Sequence, residues 1–156
     1  MSKSEEAAKI FEEFIGQEEV NEKWFTVDQD QINLFADATH DHQFIHVDPE
    51  RAKQTPFGTT IAHGFLTLSM LPKLQEGFSL GGAGFSGAAM VINYGLDKVR
   101  FPNPVNVDSK IRARRTLTEV LVKGPQVQLK YAVTIDIDGV PKPACVAEML
   151  TRVVYA

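Results

Sequence analysis

The chain has 156 residues with a net charge of −4 at pH 7, and 44% of its residues are hydrophobic against 23% charged. This length fits one domain, and this balance is typical of a globular protein with a packed core. An acidic chain offers no general attraction for nucleic acid, so we expect no such partner. The single Cys145 cannot form an internal disulfide, and no signal-peptide core follows Met1. We therefore expect a cytoplasmic protein with no membrane partner.

Helical patterns dominate the first half of the chain. Apolar residues at helical spacing follow Ser4, a candidate N-cap, and Gly16 ends the pattern. This predicts an N-terminal helix over residues 4–16, an appendage to a single domain spanning 1–156. Asp28 is placed to cap a second helix.

The middle of the chain predicts a loop followed by two helices. Residues 39–47 show neither helical nor strand periodicity, which indicates a loop. Asp48-Pro49 is typical of a helix start. Residues 61–74 are apolar nearly all round, which predicts a buried central helix, and Pro72 is expected to bend its far end.

The second half of the chain reads as sheet. A glycine-rich connection over residues 77–87 is expected to be mobile or tightly turned. Alternating or apolar patterns then predict four strands, at residues 90–101, 110–122, 127–137 and 145–155. Helices followed by long hairpin-connected strands predict an α+β domain in which an antiparallel sheet wraps one apolar helix.

The residues that carry chemistry cluster around the predicted loop. Asp41 and His46 stand five positions apart, Asp48-Pro49 follows, and Ala62-His63-Gly64 opens the predicted central helix. In these residues, and in Asn93-Tyr94-Gly95 and Arg100-Phe101-Pro102, the chain resembles the MaoC-like dehydratases. That family includes (R)-specific enoyl-CoA hydratases of the hot-dog fold, and the chain resembles particularly the branch that includes nodulation protein N. The resemblance covers roughly residues 20–155. Many members carry Asn and Pro where this chain has Gln43 and Phe44.

The resemblance implies a hot-dog domain, a homodimer and an enzyme of fatty acid metabolism. It implies hydration of a 2-enoyl-CoA thioester to the (R)-3-hydroxyacyl-CoA, with Asp41, His46 and Gly64 as the catalytic residues. Four further positions are expected to contact substrate: Phe44, Ala62, His63 and Asn93. No metal and no cofactor are expected, since coenzyme A is part of the substrate.

The residues support this chemistry without the family. Hydration needs water delivered to C3 and a proton delivered to C2, and a carboxylate and an imidazole in one loop can converge on a single water. Gly64 falls in the first turn of the predicted helix, where amide groups lack intrahelical acceptors. Its N–H can stabilise charge that develops on the thioester oxygen.

Several alternatives stand beside this hypothesis. His40, His42 and His46 alternate and could ligate a metal, and His63 could be a purely structural residue at the helix start. Two other activities suit the same fold: thioester hydrolysis by a carboxylate, and binding of an acyl thioester without turnover.

Two weaker motifs lie in the second half of the chain. Gly82, Gly84 and Gly87 match the spacing of a dinucleotide-binding loop, but that motif needs a preceding strand and a following helix, so we expect a flexible loop or pocket lid. Four basic residues on strand segments could meet the phosphates of coenzyme A: Lys98, Arg100, Arg112 and Arg114.

Overall fold

The computed structural model describes residues 1–156. Six helices run over α1 (Lys3–Glu12), α2 (Gln29–Thr39), α3 (Phe44–Val47), α4 (Pro49–Ala52), α5 (Gly64–Ser69) and α6 (Leu71–Leu74). Six strands run over β1 (Glu18–Val20), β2 (Phe25–Thr26), β3 (Ala88–Arg100), β4 (Lys110–Lys123), β5 (Gln126–Ile137) and β6 (Val140–Tyr155). A short 3-10 helix, Gly82–Phe85, precedes β3.

The strands form one antiparallel sheet in the order β1-β4-β5-β6-β3, and β2 also pairs with β4. The alternation predicted for the central strand β5 is confirmed, since every second side chain from Val127 to Ile137 is buried. The helices pack against this inner face, which gives the predicted α+β class and the hot-dog arrangement of sheet around helix. β6 begins earlier than predicted because the hairpin at Asp138-Gly139 starts its pairing at once.

The central helix is shorter than predicted. Residues 61–63 are extended, because Ile61 bridges to Asn106 and the Ala62 N–H donates to the Val105 carbonyl at 2.8 Å. The helix begins only at Gly64 and breaks at Met70, where Pro72 supplies no N–H to continue it. It is not buried on all sides either, since Phe65 on its outer face is 69% exposed.

Part of the predicted loop is helical. Phe44–Val47 forms one turn, α3, and the Asp48 N–H donates to the Phe44 carbonyl at 3.0 Å. Asp48 then caps α4 as predicted, with its carboxylate accepting from the Arg51 N–H at 3.1 Å. A single turn is too short to leave a periodic pattern in the sequence, and tertiary contacts hold it instead.

The N-terminal helix is part of the core and not an appendage. It starts at a Ser2 cap and ends at Glu12, four residues before the predicted end. Phe11 is fully buried in the same cluster as the sheet residues. The chain leaves the helix early because the Gly16 N–H donates to the Leu117 carbonyl at 2.9 Å, which leads it into β1.

The glycine-rich connection is packed rather than free. Gly84 lies against the Phe11 ring, and the Tyr155 hydroxyl donates to the Gly84 carbonyl. Glu19 holds the preceding stretch, since its carboxylate accepts from the N–H groups of Ser79 and Leu80 at 2.7 and 2.8 Å. The segment leads from a helix into a strand, so it lacks the frame of a dinucleotide-binding loop.

The strand β3 lies at one edge of the sheet. It pairs only with β6 and leaves its other edge open. Large apolar side chains are exposed on both of its faces, among them Val91 at 54% and Ile92 at 39%. None of the helices is both long enough and apolar enough to span a membrane.

Packing at Gly84 gives a test of the core. Gly84→Ala should lower the free energy of unfolding by about 1–3 kcal/mol, the usual cost of overpacking, since its Cβ would lie 2.6 Å from Phe11 Cζ. Gly82→Ala is the matched control, because nothing lies within 4 Å of its Cβ position. Urea unfolding of both variants measures the difference, and equal stabilities would contradict this packing.

Candidate active site

His46 is held with one ring nitrogen ready to accept a proton. The ring is 7% exposed, and Nδ1 lies 2.7 Å from the Ile61 carbonyl oxygen. A carbonyl only accepts, so Nδ1 carries the hydrogen and Nε2 presents a lone pair. Burial lowers the pKa of His46, partly opposed by the bond to the Ile61 carbonyl. The ring is therefore neutral near pH 7 and suited to act as a base.

The helix α2 fixes the turn that carries His46. The Gln29 amide donates to the His46 carbonyl at 2.7 Å and accepts from the Thr60 hydroxyl at 2.6 Å. Gln29 follows Asp28, which caps α2 as predicted by accepting from the Gln31 N–H at 2.9 Å. The start of α2 thus ties α3 to the segment before the central helix.

Asp41 is brought to His46 as predicted. It is exposed and follows His40, which ends α2 in the left-handed conformation with φ at 63°. One side-chain nitrogen or oxygen from each of Asp41, His46 and His63 lies within 4.8 Å of the other two. A carboxylate and a neutral imidazole therefore lie within 4.8 Å of each other, close enough for both to contact one water.

His63 lies against this pair. It is 3% exposed, its ring stacks on His46 with 3.9 Å between centroids, and Nε2 lies 3.0 Å from the Asp41 carbonyl oxygen. It is not among the residues that line the cavity beside His46. Its contacts are those expected of the structural alternative, and its contact with substrate stays a prediction.

A cavity of about 290 Å³ opens beside His46. Ala62 and Gly64 line it, as predicted, together with Thr67 and Phe101. The Gly64 N–H donates to no group in the protein, and a Cβ at this position would lie 3.0 Å from the Phe101 ring. Gly64, with an amide that has no partner, thus shares this cavity wall with His46, and only glycine fits without displacing Phe101.

Sequence reasoning missed Thr67, and two residues expected to contact substrate lie away from this cavity. Thr67 is a polar residue one helical turn beyond Gly64, and that spacing was the available signal. Asn93 lies on β3 and lines a separate groove of about 530 Å³ between that strand and α5–α6. Phe44 is covered by the Arg51 guanidinium at 4.2 Å. Neither Asn93 nor Phe44 lines the cavity beside His46.

The four basic residues expected near phosphates bond mainly within the chain. Arg114 lies 3.2 Å from the Asp136 carboxylate, and Arg112 lies 3.9 Å from it and stacks on Trp24. Lys98 pairs with Glu148 at 3.5 Å, and the Arg100 guanidinium donates to the Val99 carbonyl. Their predicted role toward coenzyme A therefore gains no support from these contacts.

The alternative histidine cluster does not form. His42 lies 2.8 Å from Asp37, and both His40 and His42 are exposed. The histidine that joins His46 is His63, but the two rings are stacked with only 20° between their planes. Nitrogen lone pairs lie in the ring plane, so two stacked rings cannot both point at one ion.

An antiparallel sheet around a short central helix, with a carboxylate and an imidazole close together near the start of that helix, defines a hot-dog domain with a candidate active site. The chain belongs to the family described as MaoC like domain, which it matches over residues 11–137. It is 53% identical over 132 residues to 3-hydroxyacyl-thioester dehydratase Z of Mycobacterium tuberculosis, covering 84% of this chain and 85% of that protein. It is 49% identical over 151 residues to nodulation protein N of Rhizobium leguminosarum bv. viciae, covering 90% and 87%.

Solved structures share the fold. An (R)-hydratase from A. caviae, described as involved in PHA biosynthesis, superposes with a TM-score of 0.68 at 23% identity, covering 88% of this chain and 94% of that one. A monoamine oxidase regulatory protein from "Archaeoglobus fulgius" gives a TM-score of 0.73 at 24% identity, covering 94% of each chain. These likenesses confirm the predicted hot-dog fold.

The buried His46 predicts a pH dependence of stability. Its folded pKa is lowered, so between that pKa and the ordinary value of 6.5 the unfolded chain binds more protons than the folded one. The free energy of unfolding should therefore fall as the pH drops below 6.5 through this window. Urea unfolding of the wild type and of His46→Gln from pH 7 to pH 5.5 checks this. A decline of equal size in both proteins would contradict it.

Proposed function

We propose that the protein adds water to a trans-2-enoyl-CoA to give the (R)-3-hydroxyacyl-CoA and catalyses the reverse dehydration. The family and the named relatives of this chain support a hydro-lyase. What we propose beyond that class is the substrate, its carrier and the stereochemistry of the product. The observation that carries it is that the Asp41 carboxylate lies close to the His46 ring, and that His46 lines one cavity together with Gly64, whose N–H has no partner in the protein.

The Asp41–His46 pair performs both proton transfers. A water held between the carboxylate and the imidazole loses a proton to one of them as its oxygen attacks C3. The proton that completes the product at C2 returns from the same pair. The net change forms one C–O bond at C3 and one C–H bond at C2, and it breaks the π bond between C2 and C3 and one O–H bond of the water. Either residue can serve as the base, since both acceptors face the same water.

The Gly64 amide stabilises the negative charge that moves onto the thioester oxygen during attack. This N–H has no partner inside the protein, so binding the oxygen displaces no internal bond. A fixed donor aimed at developing charge lowers the barrier without reorganisation. The Phe101 ring, 3.0 Å from the position of a Gly64 Cβ, keeps this wall close to the reacting carbon.

The relatives support the acyl-thioester class. The name of the Mycobacterium tuberculosis relative states a 3-hydroxyacyl thioester and its dehydration, and two solved neighbours are described as (R)-hydratases. These names support a 3-hydroxyacyl thioester and its 2-enoyl partner as the reactants and the (R) configuration, and the proposal extends them to this chain in both directions of the reaction. Coenzyme A is its carrier, and the reaction uses no metal or other cofactor.

One assay tests the proposal. The absorbance of trans-2-enoyl-CoA should fall on adding the protein, and chiral analysis should find only the (R)-3-hydroxyacyl product. Release of free thiol instead would indicate a thioesterase, and tight binding without any product would indicate an acyl-binding module. Dialysis against a strong chelator should leave the rate unchanged, and restoration of a lost rate by zinc would contradict the metal-free mechanism.

Substitution of the pair tests its role. Asp41→Asn and His46→Gln should each fold and each lose about 10²–10⁴-fold in kcat, the range of positioned acid–base groups. The double variant should lose little more than the worse single one, since two groups acting on one water form a unit. Near wild-type rates in either single variant, or fully additive losses, would contradict the joint role.

We also propose that the protein is a homodimer joined along β3. This strand has an open edge and exposes apolar side chains on both faces, which natural sheets normally cover or pair. A second copy related by a two-fold axis supplies a matching strand. The groove that contains Asn93 lies against the same strand, so pairing would place a second chain beside it.

Sedimentation equilibrium tests the dimer. Ile92→Lys, on the open strand, should shift the protein toward a mass near 17.3 kDa and lower its activity on dilution. Leu34→Lys is the matched control, since Leu34 is also exposed and apolar but lies on α2. A wild type that sediments as a fully active monomer would refute the dimer.

A further inference from the structure

His63 contacts both members of the Asp41–His46 pair. Its ring stacks on His46 at 3.9 Å, and its Nε2 lies 3.0 Å from the carbonyl oxygen of Asp41. Phe35 packs on it with 4.9 Å between ring centroids. The His63 side chain therefore contacts both the loop that carries Asp41 and the ring of His46.

The bond to Asp41 is the anchor of that loop. Because a carbonyl only accepts, His63 Nε2 is the donor in this contact. The other bonds of residues 40–43 stay within residues 37–46, such as the 3.3 Å contact of the Gln43 N–H with the Asp41 carboxylate. An exposed loop with one outside bond depends on that bond for its position.

The position that lets His63 bond to Asp41 leaves its other ring nitrogen without a hydrogen bond. Its Nδ1 is buried and has no hydrogen-bond partner, which is rare for a buried polar atom. It also caps α5 without using its side chain there, since no cap bond is made. The contacts that its side chain does make are the hydrogen bond to Asp41 and ring packing on His46 and Phe35.

We propose that His63 is a positioning residue that holds the Asp41 loop and the His46 ring in register. It touches no substrate, and it acts by fixing the distance between the carboxylate and Nε2 of His46. The inference rests on the proposed hydratase function, because its effect is measured on that reaction. Small displacements of acting groups cost large factors in rate, so the effect should fall on kcat and not on KM.

A pair of amide variants separates the anchor from the rest of the residue. In His63→Gln the amide nitrogen can occupy the place of Nε2 and reach the Asp41 carbonyl, whereas in His63→Asn it stops near the place of Nδ1. Both lose the ring. We expect kcat of the Gln variant within about 5-fold of wild type, and a loss of about 10- to 100-fold in the Asn variant, with KM within about 3-fold in both.

His63→Phe and Ser4→Ala complete the design. The Phe variant keeps a stacked ring but lacks the donor, so it should lose kcat as the His63→Asn variant does, and it replaces that variant if His63→Asn does not fold. Ser4→Ala removes another buried bond to a backbone carbonyl, the 2.8 Å contact with Gly124, and should lower stability without changing kcat.

The outcomes are distinct. Equal kcat values in the Gln and Asn variants, wild-type kcat in the Phe variant, or loss of folding in all three would overturn the positioning role. If the wild type itself does not hydrate enoyl-CoA, the proposed function fails. That result is read from the wild type alone, whereas failure of the positioning role is read from the variants of an active enzyme.

Discussion

The contact between His46 and the backbone of Ile61 is the constraint on which the site depends. His46 Nδ1 donates to the Ile61 carbonyl at 2.7 Å, and the Ile61 N–H donates to the Ile45 carbonyl at 3.0 Å. Ile61 in turn bridges to Asn106, in the segment between β3 and β4. One extended residue thus joins the histidine turn to the sheet. It also sets where the central helix begins, and with it the position of the Gly64 amide.

The same contact decides the chemistry of the imidazole. It selects the tautomer that leaves Nε2 free, while burial lowers the pKa and keeps the ring neutral. Asp41 has different surroundings, since it lies exposed on a short loop. A buried imidazole that can accept a proton thus stands close to an exposed carboxylate.

Local patterns predicted most of the fold, and tertiary contacts account for what they missed. Neighbouring residues alone account for the alternation of β5 and for the caps Asp28 and Asp48. They also account for the break of the central helix before Pro72. The extended start at Ile61 and the single turn at Phe44–Val47 do not, because distant backbone groups hold them. In the site, the resemblance and the five-residue spacing together predicted that Asp41 and His46 lie close to each other, and they do. The place of His63 against the pair could not be predicted, since a stacked ring leaves no sequence pattern.

The central claim is that one Asp–His pair, on one side of the substrate, delivers both the water oxygen and the proton at C2. Hydration of trans-2-enoyl-CoA in D₂O, followed by NMR of the product, tests it most directly. The account predicts a single diastereomer, in which the deuterium at C2 and the oxygen at C3 have added to the same face. Addition to opposite faces, or a mixture of C2 configurations, would show that the proton comes from elsewhere and would contradict the account.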